Sequence, residues 1–187
     1  MLPLGTELPS FKLTDVRTGE VVGADDFAGN PLLVIFLCVH CPYVKRIQEG
    51  LARLGRDYAG TSLGIVGIAS NDASTYPEDA PESQAKVADD VGYAFPVLYD
   101  ETQEVARAFT AACTPDFFMF NGDHRLVYRG QFDGARPSNN VPVTGESVRA
   151  AIQALLDGKT VGSDQMPSMG CSIKWKAEAS GLRIGRV

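Results

Sequence analysis

The chain has 187 residues, enough for one domain with a substantial core, so neither a structural metal nor disulfide staples are required for folding. It is 44% hydrophobic and 21% charged, close to ordinary soluble domains, with no repeat or low-complexity tract. Its 17 Lys+Arg against 23 Asp+Glu give a net charge of −6, which lacks the basic footprint of a nucleic-acid binder. The first residues, Met1 to Glu7, have neither a basic stretch nor a long apolar one, so no secretory signal is read there. The longest apolar run, Leu32 to Val39, is far short of the ~20 residues of a membrane-spanning helix, and no membrane partner is expected. A cytoplasmic location is the resulting expectation.

In chain order, Phe11-Lys12-Leu13-Thr14 and Glu20-Val21-Val22 flank Arg17-Thr18-Gly19 and predict an N-terminal hairpin. Leu32 to Leu37 is apolar without alternation, the pattern of a central strand buried on both faces. Pro42 suits a first helical turn, Val44, Ile47, Leu51, Leu54 and Tyr58 recur at helical spacing, and Gly60 is placed to cap the end. Ser62 to Ala69 predicts a second strand and Pro81 to Val91 a second helix, with Asp79 as its cap and Gly92 as its stop. The acidic stretch Asp72 to Asp90 reads as a solvated face.

Further strands are predicted at Pro96–Tyr99, Phe117–Phe120 and Arg125–Arg129, the last two forming a hairpin about Asn121-Gly122. Helices are predicted at Glu104–Phe109 and Glu146–Asp157, the latter followed by Gly158. The whole predicts an α/β domain over residues 1–158, a mixed sheet flanked by helices. The segment 159–187, with Cys171, Trp175 and a basic bias from Lys174, Lys176, Arg183 and Arg186, fits no element and is expected as an extension packed on that domain.

Of the four cysteines, Cys38 and Cys41 are separated by two residues where a buried strand runs into a helix. Such a pair can open and close a small disulfide loop without moving the fold. A thiol pKa near ~8.5 drops at a helix N-terminus or beside a histidine cation, and His40 lies inside the loop. Cys38 is the candidate nucleophile and Cys41, read as one turn into the helix, the resolving thiol. Zinc uses the same spacing but commonly two such pairs, and there is no second pair among Cys113 and Cys171 or the two histidines, His40 and His124. Redox work is the leading reading, with no cofactor and no metal expected; metal binding and inert buried cysteines are the alternatives.

The strand, Cys38-Val39-His40-Cys41-Pro42 and helix, followed by Thr114-Pro115-Asp116-Phe117-Phe118, resemble the thioredoxin superfamily. The opening Gly5 to Asp15 is similar to the alkyl hydroperoxide reductase and thiol-specific antioxidant branch. More closely, Cys38 to Lys45, Cys113 to Phe118, Arg136 to Asn140 and Gly170 to Lys176 resemble a bacterial subgroup labelled peroxiredoxin-like or thioredoxin family protein. The resemblance implies a thioredoxin-like fold and a cis Pro115 facing the pair, whose backbone offers substrate peptides a strand-like edge beside Cys38. It also implies a protein or small-molecule disulfide or peroxide as substrate, and a thiol reductant.

Departures qualify that reading. Leu37 replaces the tryptophan that precedes the first cysteine in thioredoxin, and Val39-His40 replaces Gly-Pro. A histidine before the second cysteine is similar to the oxidising members, which implies a potential less reducing than thioredoxin's. No carboxylate lies within Leu32 to Leu37 to accept a proton. The peroxiredoxin pattern Pro-x-x-x-Thr-x-x-Cys fails in both registers, giving Ile35 in place of threonine before Cys38, and Val34 and Cys38 before Cys41. A thiol peroxidase is therefore the second reading, and a non-enzymatic metal- or peptide-binding module the third. Cys113 is within plausible reach of the pair if its loop faces it, and Cys171 becomes a third thiol if the tail folds back.

Overall fold

The structure, a computed structural model, describes residues 2–177, so Arg183 and Arg186 of the basic tail lie outside the described residues. Strands β1 (Lys12–Asp15), β2 (Val21–Gly23), β3 (Leu32–Phe36), β4 (Gly64–Ala69), β5 (Val97–Tyr99), β7 (Asp116–Phe120) and β8 (Leu126–Gly130) form one sheet in the order β2-β1-β5-β4-β3-β7-β8. Strand β3 pairs in parallel with β4, and β4 with β5, whereas β7 and β8 run antiparallel. Helices α1 (Pro42–Tyr58), α2 (Pro81–Val91), α3 (Glu104–Ala108) and α4 (Glu146–Leu156) cover its faces. This is the thioredoxin fold with a mixed central sheet. No helix among the described residues is long and apolar enough to cross a membrane.

Every residue of β3 is buried because it lies between β4 and β7 and is covered on both faces. Alternation divides its side chains. Leu33 and Ile35 join Val44, Ile47, Leu51 and Leu54 of α1 and Val148, Ala151 and Ile152 of α4. Leu32, Val34 and Phe36 join Val105, Ala106 and Phe109 at and after α3. Phe109 is completely buried and meets Phe36, Phe118 and Phe120 edge-on, with centroids 5.4, 5.6 and 5.9 Å apart.

The predicted hairpin is present as β1–β2, and β1 continues it into the sheet by pairing with β5. Between β7 and β8, Asn121 Oδ1 accepts the amides of Asp123 and Arg125, and His124 takes a left-handed φ of 55°. Gly92 ends α2 at φ 77°, as its sequence position predicts.

Two helix ends differ from expectation. Helix α1 stops at Tyr58 with Ala59 in the right-handed region, because Thr61 donates both its amide and its hydroxyl to the Tyr58 carbonyl, so Gly60 is not a left-handed cap. Asp79 does not cap α2. Ala80 holds the cap position before Pro81, and Asp79 ends a short 3-10 turn with its side chain turned inward.

The tail 159–177 contributes an element with no sequence signature, β9 (Cys171–Ser172), which pairs antiparallel with the two-residue strand β6 (Cys113–Thr114). Two-residue strands carry no readable periodicity, and long-range pairing alone creates them.

Candidate active site

The site lies at the carboxyl ends of β3 and β4, where parallel strands open into loops beside helix N-termini. Residue Leu37 still donates to the Ile68 carbonyl, so the rigid ladder extends to the residue before Cys38. Cys41 is not one turn into the helix. It is the N-cap of α1, with extended φ −66° and ψ 124°, because Pro42 fills the first helical position.

Both sulfurs converge on Thr114, which precedes Pro115 across a cis peptide bond. Cys38 Sγ lies 3.1 Å from Thr114 Oγ1, and the Cys41 thiol donates to the Thr114 carbonyl at 3.1 Å. The pair is buried, with Cys38 2% and Cys41 0% exposed.

Their acidities diverge. The Cys41 pKa is lowered because the Cys38 thiol donates to its sulfur; the Cys171 thiol and the amides of Val44 and Cys171 add donors that outweigh burial. The Cys38 pKa is raised, first by the hydrogen bond to Cys41, then by burial and by the negative charge of Asp79. Within the reduced pair Cys41 is thus the more acidic thiol and Cys38 the less acidic one.

Asp79 is the residue that sequence reasoning missed. It is 1% exposed, and its Oδ1 accepts the amides of Val39 (2.8 Å) and His40 (3.3 Å). Its Oδ2 accepts His40 Nδ1 (2.5 Å) and Asn71 Nδ2 (2.7 Å). One carboxylate therefore holds both residues between the cysteines, and Tyr76 stacks on the His40 ring. The carboxylate absent from Leu32–Leu37 is supplied from the loop after β4. The available signal was a proline-bounded loop, Pro77 to Pro81, leaving the end of a parallel strand, where functional side chains concentrate.

Cys38, His40 and Asp79 offer ligand atoms within 4.8 Å of one another, so these three are where a metal ion would be held. A metal would have to displace the His40–Asp79 bond and compete with the amides already on the carboxylate.

The other two thiols part company. Cys113 projects from the face of β6 opposite Thr114, with Sγ 3.6 Å from the Pro115 carbonyl. It lines a small cavity with Asp116, Arg129 and Ser168. Burial pushes its thiol up to about 12, with the charge of Asp116 adding. Cys171 stands opposite Thr114 in the β6–β9 register and packs against the cluster containing Cys38 and Cys41. The strand-like edge expected for substrate peptides is therefore taken by the chain's own tail. Arg136 and Asn139 serve their loop: the Arg136 guanidinium donates to the carbonyls of Asp133 and Ala135 and to Gln131 Oε1. The Asn139 side chain accepts the Arg136 amide.

The AhpC/TSA family model matches residues 4–129. Among solved structures the chain is similar to an uncharacterized conserved protein from Geobacillus kaustophilus, with 54% identity over 96% of this chain and 95% of that one and a TM-score of 0.93. It is also similar to a hypothetical protein from Sinorhizobium meliloti, with 47% identity, 95% and 97% coverage and a TM-score of 0.92. The thioredoxin domain of a thiol-disulfide oxidoreductase from Bacteroides vulgatus shares 15% identity over 80% of this chain and 97% of that one, with a TM-score of 0.61, a likeness of fold. No curated protein matches the chain in sequence.

Proposed function

Because the chain belongs to the AhpC/TSA family and has a thioredoxin fold, we propose that it is a thiol-disulfide oxidoreductase acting through Cys38 and Cys41. The observation that carries this reading is the pair itself: two buried thiols close together where β3 runs into α1, each bonded to Thr114, with acidities driven apart.

For exchange Cys41 ionises first, giving up its bond to the Thr114 carbonyl, and Cys38 holds the proton that remains on the pair. As Cys38 attacks a substrate disulfide, that proton passes to Cys41 and then to the departing thiolate. A mixed disulfide between Cys38 and the substrate results. The restored Cys41 thiolate attacks Cys38 Sγ, the second substrate sulfur leaves, and the Cys38–Cys41 disulfide forms. Two electrons pass from the pair to the substrate, and an external thiol reductant restores the pair. Asp79 and His40 keep the loop in the geometry this exchange needs.

Peroxide reduction is a second reading, favoured by family membership and by the Thr114 hydroxyl 3.1 Å from Cys38. There the Cys38 sulfur attacks one peroxide oxygen, the O–O bond breaks and water or an alcohol leaves; Cys41 then attacks the resulting sulfenic acid, water leaves and the Cys38–Cys41 disulfide forms.

Treatment with oxidised glutathione tests the reading. Cys41→Ser is expected to accumulate a glutathione adduct on Cys38, and Cys38→Ser to lose turnover. No adduct on Cys38 in folded Cys41→Ser would refute exchange. Peroxide consumption that survives Cys41→Ser but not Cys38→Ser would favour the peroxidase.

A further inference from the structure

The tail does more than cover the site. Strand β9 lies along β6 as an added strand, with Cys171 directly opposite Thr114, the residue that bonds both Cys38 and Cys41. Gly170 makes that approach possible, since a Cβ built there would fall on the Thr114 carbonyl and press on the Pro115 nitrogen. Backbone anchors hold the strand on either side. Before it, Gln131 donates to the Met166 carbonyl at 2.9 Å and the Ser168 hydroxyl to the Gly130 carbonyl at 2.6 Å. After it, Ile173 is buried and donates to Ala112, and Lys174 donates to Asn71 Oδ1. Asn71 in turn donates to Asp79, so tail and cysteine loop share one polar network.

This arrangement has the form of β-strand addition, in which a peptide pairs with an exposed edge and presents a side chain to the site. Resting on the Cys38–Cys41 exchange above, we propose that β9 is a resident peptide substrate of the pair and that Cys171 exchanges disulfide with Cys41 within the chain. The Cys171 thiolate attacks Cys41 Sγ of the Cys38–Cys41 disulfide. The Cys41–Cys171 bond forms, the Cys38–Cys41 bond breaks, and Cys38 leaves as a thiolate. The proton released when Cys171 ionises ends on Cys38, beside the Thr114 hydroxyl. No electron enters or leaves, so the step isomerises one disulfide into another. Cys38 is thereby returned to its reduced form, while the oxidising equivalents stay at Cys41–Cys171 and the tail is locked onto its edge.

Electrostatics time the step. In the reduced chain the Cys171 thiol is held above its ordinary value by burial, then by its hydrogen bond to Cys41 and by the Cys41 charge, while Lys174 opposes them. Once Cys41 is part of a disulfide both contributions from Cys41 vanish, so Cys171 becomes a better nucleophile when there is a bond for it to attack.

The test is disulfide mapping of the full chain after a brief pulse of diamide, acid quenching and alkylation. Wild type is expected to yield both Cys38–Cys41 and Cys41–Cys171. Cys38→Ser is expected to yield Cys41–Cys171 directly, and Gly170→Val to keep Cys38–Cys41 while losing about tenfold in Cys41–Cys171 as the tethered thiol is displaced. If Cys41–Cys171 is missing from both wild type and Cys38→Ser, the relay is overturned even where Cys38–Cys41 forms normally. If neither Cys38–Cys41 nor Cys41–Cys171 forms in wild type, the exchange reading itself fails, and the Cys38→Ser map still decides whether Cys171 reaches Cys41.

Discussion

Replacing Asp79 by asparagine should make Cys38 markedly more acidic. The side chain keeps its volume and an oxygen for the Val39 and His40 amides but loses its charge, which lies within 4.8 Å of the Cys38 sulfur. With an effective dielectric constant of about 20, repulsion between a carboxylate and a thiolate at that distance is about 3.5 kcal/mol, equivalent to about 2.5 pKa units. The groups are buried, so solvent screening discounts this little. A fall of about two units is therefore expected when Cys38 is the only cysteine, with Cys41, Cys113 and Cys171 changed to serine in both chains compared. Thiolate absorbance against pH measures it, and circular dichroism verifies that the fold is retained. The charged hydrogen bonds lost from the loop should also cost about 1.5–3 kcal/mol in denaturant unfolding. An unchanged Cys38 midpoint in a folded Asp79→Asn chain would refute the assigned role of the carboxylate.

Phe109→Ala should destabilise the chain by about 3–5 kcal/mol in urea unfolding, because it empties the centre of a buried aromatic cluster. Alkaline pH should destabilise the reduced protein through Tyr93 and Tyr128, whose pKa values burial raises above the ordinary 10.0. Their contribution is complete below pH 10 and is lost as pH climbs toward the raised folded values, at about 1.4 kcal/mol per pH unit for each titrating group. Tyr93→Phe should flatten that limb in unfolding measured from pH 9 to 11, and an unaltered limb would contradict the assignment.

The central elements were legible in the sequence because each obeys one local rule. An uninterrupted apolar run gave β3, helical spacing after Pro42 gave α1, and Gly92 marked the end of α2. The juxtaposition of Cys38 and Cys41 was legible for the same reason, since strand, cysteine spacing and helix are contiguous. Asp79 was not, because a carboxylate before Pro81 looks locally like a cap, and only the turn Pro77–Asp79 directs it inward. The role of the tail depended wholly on non-local pairing: nothing in Gly170-Cys171-Ser172 signals a strand until Thr114 lies opposite. The relative acidity of the cysteines was not legible either, because it is set first by the hydrogen bond between Cys38 and Cys41 themselves, with the Val44 amide at the cap a smaller contribution.

The most direct test of the exchange mechanism is a redox titration of the full chain against a glutathione couple at several pH values, with peptide mapping of the bridged cysteines. The account predicts a reversible Cys38–Cys41 disulfide whose midpoint shifts by about 30 mV per pH unit near neutrality, because the reduced pair already lacks one proton. A reversible bridge with a slope of about 59 mV would contradict the Cys41 thiolate. The absence of any reversible Cys38–Cys41 bridge would contradict the mechanism itself.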